Sequence, residues 1–212
     1  MGNESSRFGS GFGRRTMTLA GMLVRLWRLL RLGPRLLRLH LPATGMGRRL
    51  QESLWLAVTE VNGCRWCAYV HSGMAGASGM APEDIDLLLS AEDPAGLEML
   101  SADEQATLAY ARAWAEQDGN PPPGMRNQAR DRLGADGDRD LHALLAMIDF
   151  ANRCGNTLDS LLHRLGHPRR LLELRGALND LLVGLLVALL GWPAVVAGAV
   201  MQWQARRRRR SR

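Results

Sequence analysis

Two cysteines and a histidine form the pattern in this chain that most directly indicates chemistry, Cys64-Arg-Trp-Cys67-Ala-Tyr-Val-His71. Two thiols three residues apart can be oxidised reversibly to a disulfide, and a nearby imidazole can accept or return a proton. On a helix, residues spaced i, i+3 and i+7 share one face. The spacing therefore predicts a redox dithiol with a base beside it.

The segment before the motif predicts how the sulfurs are positioned. Asn62-Gly63 is a turn or helix-start signal, and residues 47 to 60 form an apolar-periodic helix before it. Both sulfurs should then lie in the first turn of the next helix, where unpaired N–H groups and the positive end of the dipole favour thiolates. The short link predicts that the two helices pack antiparallel.

Two acidic residues lie within reach of the motif. Glu52 is about as far before the turn as His71 is after it, so antiparallel packing should let the carboxylate reach the imidazole. Glu60 is closer to the turn and is expected to be the acid nearest Cys64. The sequence therefore predicts four site residues, Cys64, Cys67, His71 and Glu52.

Composition indicates an all-α protein. The 212 residues are 46% hydrophobic and only 5% aromatic, and runs of alternating β-branched residues are absent. One domain with extensions is the simplest arrangement for this length. Further helices are predicted from Pro82, from the capping box at Ser101 to about Glu116, from Met125 to Leu133 and from Arg139 to about Leu165, with loops at 92–94 and 118–124.

Charge is strongly segregated along the chain, although the net value is only +6. Residues 1–50 carry ten arginines against one acid, residues 51–166 eight against eighteen acids, and residues 167–212 nine against two. No zinc-finger or helix-turn-helix signature accompanies the positive charge, so no nucleic-acid partner is predicted. Basic arms beside apolar sequence indicate an anionic membrane surface instead.

The N-terminal arm, residues 1–44, starts with a Gly/Ser-rich stretch to residue 15 that is expected to be disordered, and continues from Thr16 to Leu41 as an Arg/Leu pattern. Its arginines recur every three or four residues opposite a Leu/Trp face, with a helix break predicted at Gly33-Pro34. The apolar face either lies on lipid or packs on the protein core. The arginines interrupt the apolar run, so the arm is not a cleavable signal peptide.

The C-terminal extension, residues 167–212, contains an uncharged run from Leu181 to Trp203. That run is long enough to span a bilayer, and the arginine tail after it would stay cytoplasmic under the positive-inside rule. Pro193 and positive charge on both flanks also allow a re-entrant hairpin or a helix pair buried against the core or a neighbouring subunit. Cytoplasmic location with membrane attachment through this segment is one prediction, and a soluble oligomer contact is the other.

Glu52 stands twelve residues before Cys64, and His71 four after Cys67. This spacing resembles the alkyl hydroperoxidase D and carboxymuconolactone decarboxylase superfamily in its peroxidase-like branch. Residues 100–111 and 148–153 look like the helices that follow the motif there, so the resemblance covers about residues 45–166. It implies an all-α, alkyl hydroperoxidase D-like helical bundle in that core, and a homo-oligomer. Trp66 departs from the Tyr often found inside the motif, which puts the polarity of the pocket in doubt.

The resemblance also implies roles. Cys67 would be the peroxidatic thiolate, Cys64 the proton donor and resolving thiol, and His71 with Glu52 the proton relay. The substrate would be a hydroperoxide and the electron donor a lipoyl- or thioredoxin-like dithiol, with no bound cofactor or metal. Decarboxylase members lack the dithiol, so their chemistry is not carried over.

Other interpretations stay open from the residues alone. Zinc could recruit Cys64, Cys67, His71 and Cys154, although structural zinc normally uses two close ligand pairs. The same residues could be ordinary core residues, a non-catalytic redox sensor, or a degenerate site in a membrane-associated interaction protein. Cys154 is expected to be a small buried residue. Three cysteines, two of them in one CxxC, favour a reducing compartment.

Overall fold

The computed structural model describes residues 14–39, 46–90, 100–167 and 174–210, and within these ranges the chain forms α-helices and no strands. The all-α prediction is confirmed. The first 13 residues and the loop predicted at 92–94 lie outside the described residues. The helices are α1 (Leu19–Leu39), α2 (Arg48–Asn62), α3 (Arg65–Ala77), α4 (Pro82–Leu88), α5 (Ala102–Glu116), α6 (Pro123–Gly166) and α7 (Leu174–Arg210).

Helix α2 lies at the centre of the core, packed by α3, α5 and α6. Its side chains Leu54 and Leu56 are fully buried, as are Leu144 and Leu145 of α6. Burying a leucine side chain contributes about 1.5–3 kcal/mol, so this contact supplies much of the stability that fixes α2. The helix that precedes the turn at Gly63 is therefore fixed by its packing in the core.

The predicted capping box and the two predicted helices after the proline loop both appear. Ser101 Oγ accepts from Glu104 N, and Ser101 N donates to the Glu104 carboxylate at 2.8 Å, which satisfies the start of α5. The two later helices join into α6, interrupted only at Gly134, where φ is 70° and ψ is 174°. Glycine adopts this conformation without the steric cost that a side chain would add.

Helix α1 packs on the core through three of its arginines and through part of its apolar face, Met22, Leu36 and Leu39. Arg25 lies 3.6 Å from Asp149 of α6, and Arg35 and Arg38 lie 2.5 Å and 2.9 Å from Asp140. Six other large apolar side chains of the helix are exposed, so only part of the Leu face packs on the core: Leu23, Val24, Leu26, Trp27, Leu30 and Leu37. The acidic residues of α6 decide the orientation by attracting the arginine stripe.

The predicted break in α1 is also wrong. The helix continues through Pro34 to Leu39. A proline removes one backbone donor. The paired Arg35 and the buried Leu39 hold the turn that follows it.

Helix α7 is one continuous helix, so the hairpin and the helix pair predicted for the C-terminal extension are wrong. It packs along α6 and α3. A Cβ added at Gly184 would lie 2.7 Å from Leu161 Cδ2 of α6, and one added at Gly198 would lie 3.0 Å from Val70 Cα of α3. Small residues therefore let α7 approach both neighbours closely.

The stretch Gly176–Met201 within α7 is long and apolar enough to cross a membrane, judged by length and composition. Its mean hydropathy is 2.3, and most of it is not buried against the rest of the protein. A core helix of a soluble protein would normally be mostly buried. The apolar character of the segment is therefore directed largely outward.

Candidate functional site

The turn that carries the dithiol is fixed by backbone geometry and by α6. Gly63 ends α2 in the left-handed conformation with φ 66°, as the Asn-Gly signal predicts. Asn156 of α6 donates from Nδ2 to the Asn62 carbonyl at 2.9 Å, and Cys64 N donates to Thr59 O at 3.3 Å. These bonds satisfy backbone groups at a buried helix junction and position the start of α3.

Cys64 is the N-cap of α3, and its sulfur accepts the N–H of Cys67 at 3.4 Å. The two sulfurs lie 2.9 Å apart as free thiols. Cys64 has no exposed surface and Cys67 is 9% exposed. The predicted placement of both sulfurs in the first helical turn is confirmed.

The two thiols have pKa values shifted in opposite directions. The hydrogen bond between the two sulfurs lowers the pKa of Cys64 below its ordinary value, and this effect outweighs burial. The same hydrogen bond, together with burial, raises the pKa of Cys67 well above its ordinary value. We therefore place the first negative charge on Cys64, where the helix N-terminus also favours a thiolate.

Glu52 and His71 are brought together as predicted. The fully buried Glu52 places Oε2 3.0 Å from His71 Nδ1, across the α2–α3 hairpin. Arg48, one turn earlier on α2, lies 2.9 Å from the other carboxylate oxygen at an angle outside the hydrogen-bond range. The His71 ring packs on Trp55 with centroids 4.7 Å apart. The ring is thus fixed in position and orientation, with Nε2 left for proton exchange.

Within the described residues, His71 makes no hydrogen bond to Cys64 or Cys67. The structure brings together the two thiols as one pair and Glu52 with His71 as a second pair on the same helix hairpin. A proton moving between the pairs therefore has to pass through a third group, such as a water molecule or a substrate oxygen.

Asp159 of α6 is a site residue that the sequence analysis missed. Its carboxylate accepts from Trp66 Nε1 and Arg65 Nε, both at 2.8 Å, and from Arg14 at 2.6 Å. Its charge also opposes ionisation of both thiols. Glu60, expected to be the acid nearest Cys64, instead pairs with Arg112 at 3.0 Å, and the acid whose charge acts on both thiols is Asp159. Asp159 has no local signal, since it lies more than ninety residues away along the chain.

Gly155 of α6 was missed as well. A Cβ built there would lie 2.5 Å from Cys64 Sγ, so only glycine leaves room for the sulfur. The adjacent Cys154 packs with a different cluster that includes Met22 and Val183. Burial raises the pKa of the Cys154 thiol to about 12, so this cysteine stays protonated at neutral pH.

No group of three or more metal-ligating side chains capable of holding an ion is present in the part of the chain that the structure describes, which includes all four residues of the zinc interpretation. That interpretation therefore gains no support from the geometry. Comparisons of the chain with models of protein families, with curated proteins and with solved structures find no match.

Proposed function

We propose that this chain is a thiol-dependent peroxidase that reduces hydroperoxides through the Cys64/Cys67 pair. The observation that carries the proposal is the dithiol at the N-terminus of α3, with sulfurs 2.9 Å apart, beside a buried Glu52–His71 pair. A disulfide-forming thiol pair and an oriented imidazole are the parts that peroxide reduction needs. The motif's resemblance to the alkyl hydroperoxidase D superfamily supports the same activity and an alkyl hydroperoxidase D-like fold for residues 45–166.

The negative charge rests on Cys64, whereas the resemblance makes Cys67 the attacking thiolate. The hydrogen bond between the two sulfurs lets the proton move, so both statements can hold. Transfer of the proton from Cys67 to Cys64 along this contact makes Cys67 the thiolate and Cys64 the thiol. The Cys67 thiolate attacks the outer oxygen of ROOH, the O–O bond breaks, and Cys67 becomes a sulfenic acid. The departing RO⁻ takes a proton from the His71 imidazolium and leaves as ROH.

The second half of the cycle forms the disulfide. The Cys64 sulfur attacks the sulfenic sulfur, its proton leaves with the hydroxyl as water, and an S–S bond forms between Cys64 and Cys67. A lipoyl- or thioredoxin-like dithiol then supplies two electrons and two protons by thiol–disulfide exchange. Glu52 orients the His71 ring through its contact with Nδ1. We also propose that the protein is a cytoplasmic homo-oligomer attached to the membrane through α7.

The test is hydroperoxide consumption by the full-length protein with a dithiol reductant. We expect Cys67→Ser and Cys64→Ser each to lower turnover by about a thousand-fold or more, because either change breaks the cycle. Cys154→Ser is the matched control and should keep turnover, since that thiol packs in the cluster of Met22 and Val183 and stays protonated at neutral pH. Full turnover by Cys67→Ser would overturn the proposal.

The burial of both sulfurs favours a second candidate, a redox sensor that is oxidised once and not turned over. A sensor would consume about one equivalent of peroxide per protein and then stop, even with excess dithiol. Counting equivalents of ROH formed per protein separates the sensor from the enzyme. A sulfenic-acid trap should label Cys67 in either case.

A further inference from the structure

We infer that the outward faces of α1 and α7 bind the surface of an anionic lipid bilayer, with α7 lying in the membrane plane and still packed on the core. This proposal does not depend on peroxidase activity. It rests on which residues of the two helices face the protein, which face outward, and how charge is distributed around the outward ones.

The inner face of α7 is tied to the core by polar contacts. Asp180, only 5% exposed, accepts from Arg164 Nε at 2.7 Å and from Ser160 Oγ at 2.5 Å. Asn179 accepts from Leu19 N at 2.9 Å and donates to Met17 O at 3.1 Å, which joins α7 to the start of α1. A helix inserted across a bilayer would have to lose these contacts and carry Asp180 toward hydrocarbon.

The packed length of α7 also excludes a crossing in this arrangement. The helix contacts Arg164 at Gly176 and Val70 at Gly198, about 33 Å apart at 1.5 Å per residue. The remainder, residues 199–210, is about 18 Å long. A hydrocarbon core of about 30 Å needs some 20 residues, so the free end is too short to cross it.

The outward faces are apolar on both helices. On α7 the large apolar side chains that face outward are 38% to 79% exposed, among them Leu186, Leu189, Leu190 and Trp192. On α1 they are 41% to 72% exposed, as at Trp27 and Leu30. The two helices meet where Met22 packs with Val183. A monomer rarely leaves this much apolar surface to water.

Charge beside these faces indicates lipid as the occupant. The guanidinium of Arg31 lies 4.9 Å from the ring centroid of exposed Trp27, and that of Arg207 lies 4.0 Å from that of exposed Trp203. Tryptophan with arginine beside it suits the headgroup region, where the ring is half buried and the cation meets lipid phosphate. Residues 206–210 add five arginines at the end of α7. A second copy of this chain would instead bring like charge against like charge.

The first experiment is flotation of full-length protein with preformed vesicles of phosphatidylcholine, with or without about 30% phosphatidylglycerol. We expect binding to the anionic vesicles that weakens as salt rises. Two double variants, Leu186→Glu with Leu190→Glu and Trp27→Glu with Leu30→Glu, should each lower the bound fraction about ten-fold or more. The matched control is Asn127→Glu with Gln128→Glu, which adds the same charge at exposed positions of α6 and should bind like the wild type.

The second experiment reads the orientation. Protein carrying an epitope after Arg212 is bound to the outside of sealed vesicles and treated with trypsin, which cuts within the arginine tail. In-plane binding predicts complete loss of the epitope without detergent, and an epitope protected in the lumen would overturn the proposal. Failure of the wild-type protein to bind anionic vesicles would also overturn it. So would α7 variants that bind vesicles normally but change the sedimentation mass in lipid-free solution, because that result would show a protein interface.

Discussion

Two buried carboxylates, Glu52 and Asp180, use the same physical arrangement to different ends. Glu52 is fully buried between Arg48 and His71, and Asp180 is almost fully buried between Arg164 and Ser160. A buried carboxylate is costly unless it is paired and hydrogen-bonded, and both meet that condition. The two carboxylates differ in the chemistry of the side chains that they pair with, His71 for Glu52 and Arg164 for Asp180.

The imidazole of His71 can both accept and donate a proton during a reaction, whereas the guanidinium of Arg164 serves only as a donor. The Glu52 centre is therefore suited to moving protons, and the Asp180 centre to holding α7 in place. Adjacent residues of α6 separate the two regions, because Gly155 faces Cys64 while Cys154 packs with Met22 and Val183. Burial alone therefore does not identify a catalytic acid.

The largest expected effect is on turnover. Glu52→Gln keeps the size of the side chain but removes the carboxylate that contacts His71 Nδ1 and orients the ring, so we expect peroxide turnover to fall by about 10²- to 10⁴-fold. Steady-state kinetics across pH should show the loss mainly in kcat. Glu60→Gln is the matched control, since Glu60 pairs with Arg112 and should not affect the rate. A Glu52→Gln rate within about three-fold of wild type would place Glu52 with Asp180 as a structural residue.

Removal of the other buried carboxylate, Asp180, should lower stability without lowering turnover. Asp180→Ala removes the carboxylate that pairs with Arg164 and accepts from Ser160, and we expect the free energy of unfolding to fall by about 3 kcal/mol. Urea denaturation measures this, with exposed Asp131→Ala as the control. Turnover per folded molecule should stay near the wild-type value. A folded Asp180→Ala protein of unchanged stability would show that the ion pair does not anchor α7.

Gly155→Ala tests the close packing of α6 against the dithiol. The new Cβ would lie 2.5 Å from Cys64 Sγ, so the sulfur has to move, and we expect a loss of about 1–3 kcal/mol in unfolding free energy together with slower disulfide formation. Gly124→Ala, also in α6 but with open space around it, should be neutral or slightly stabilising. Equal behaviour of the two variants would contradict close packing at the sulfur.

At neutral pH the smallest expected effect is that of Cys154, because it appears only as a slope of stability above pH 9. Cys154 has its pKa raised to about 12 from an ordinary 9.0, so the folded state holds its proton longer than the unfolded state. Its stabilising effect is fully present below pH 9 and should decline between pH 9 and 12, by about 1.4 kcal/mol per pH unit. Urea titrations at pH 9 to 11 should show a shallower decline in Cys154→Ala, with the remaining slope from Cys67. An unchanged slope would mean that Cys154 ionises as freely in the folded protein as in the unfolded chain.

Local signals predicted the parts of the site that lie close together in the sequence. The Asn62-Gly63 turn and the helix period are enough to bring Glu52 to His71, because both lie on one hairpin. Asp159 and Gly155 reach the dithiol only through the tertiary fold, about ninety residues further along the chain. Residue spacing carries no information about such a contact.

The faces of α1 show a different limit of sequence analysis. Its period predicts one arginine face and one apolar face but does not say how much of each packs on the core. The arginine contacts depend on Asp140 and Asp149, which lie on α6. The continuity of α7 through Pro193 likewise follows from packing on neighbouring helices, because proline alone would favour a break.

The contacts at the start of α1 have a consequence for the order of folding. Arg14 reaches Asp159 across 145 residues, and Leu19 N reaches Asn179 across 160. Closing loops of this length costs conformational entropy before the contacts can compensate, so they are expected to form late. A chain leaving the ribosome must release residue 179 before the start of α1 can be held on both sides. The Arg14 contact at the dithiol turn and the α1–α7 surface should therefore be completed together, after the core around α2 has formed.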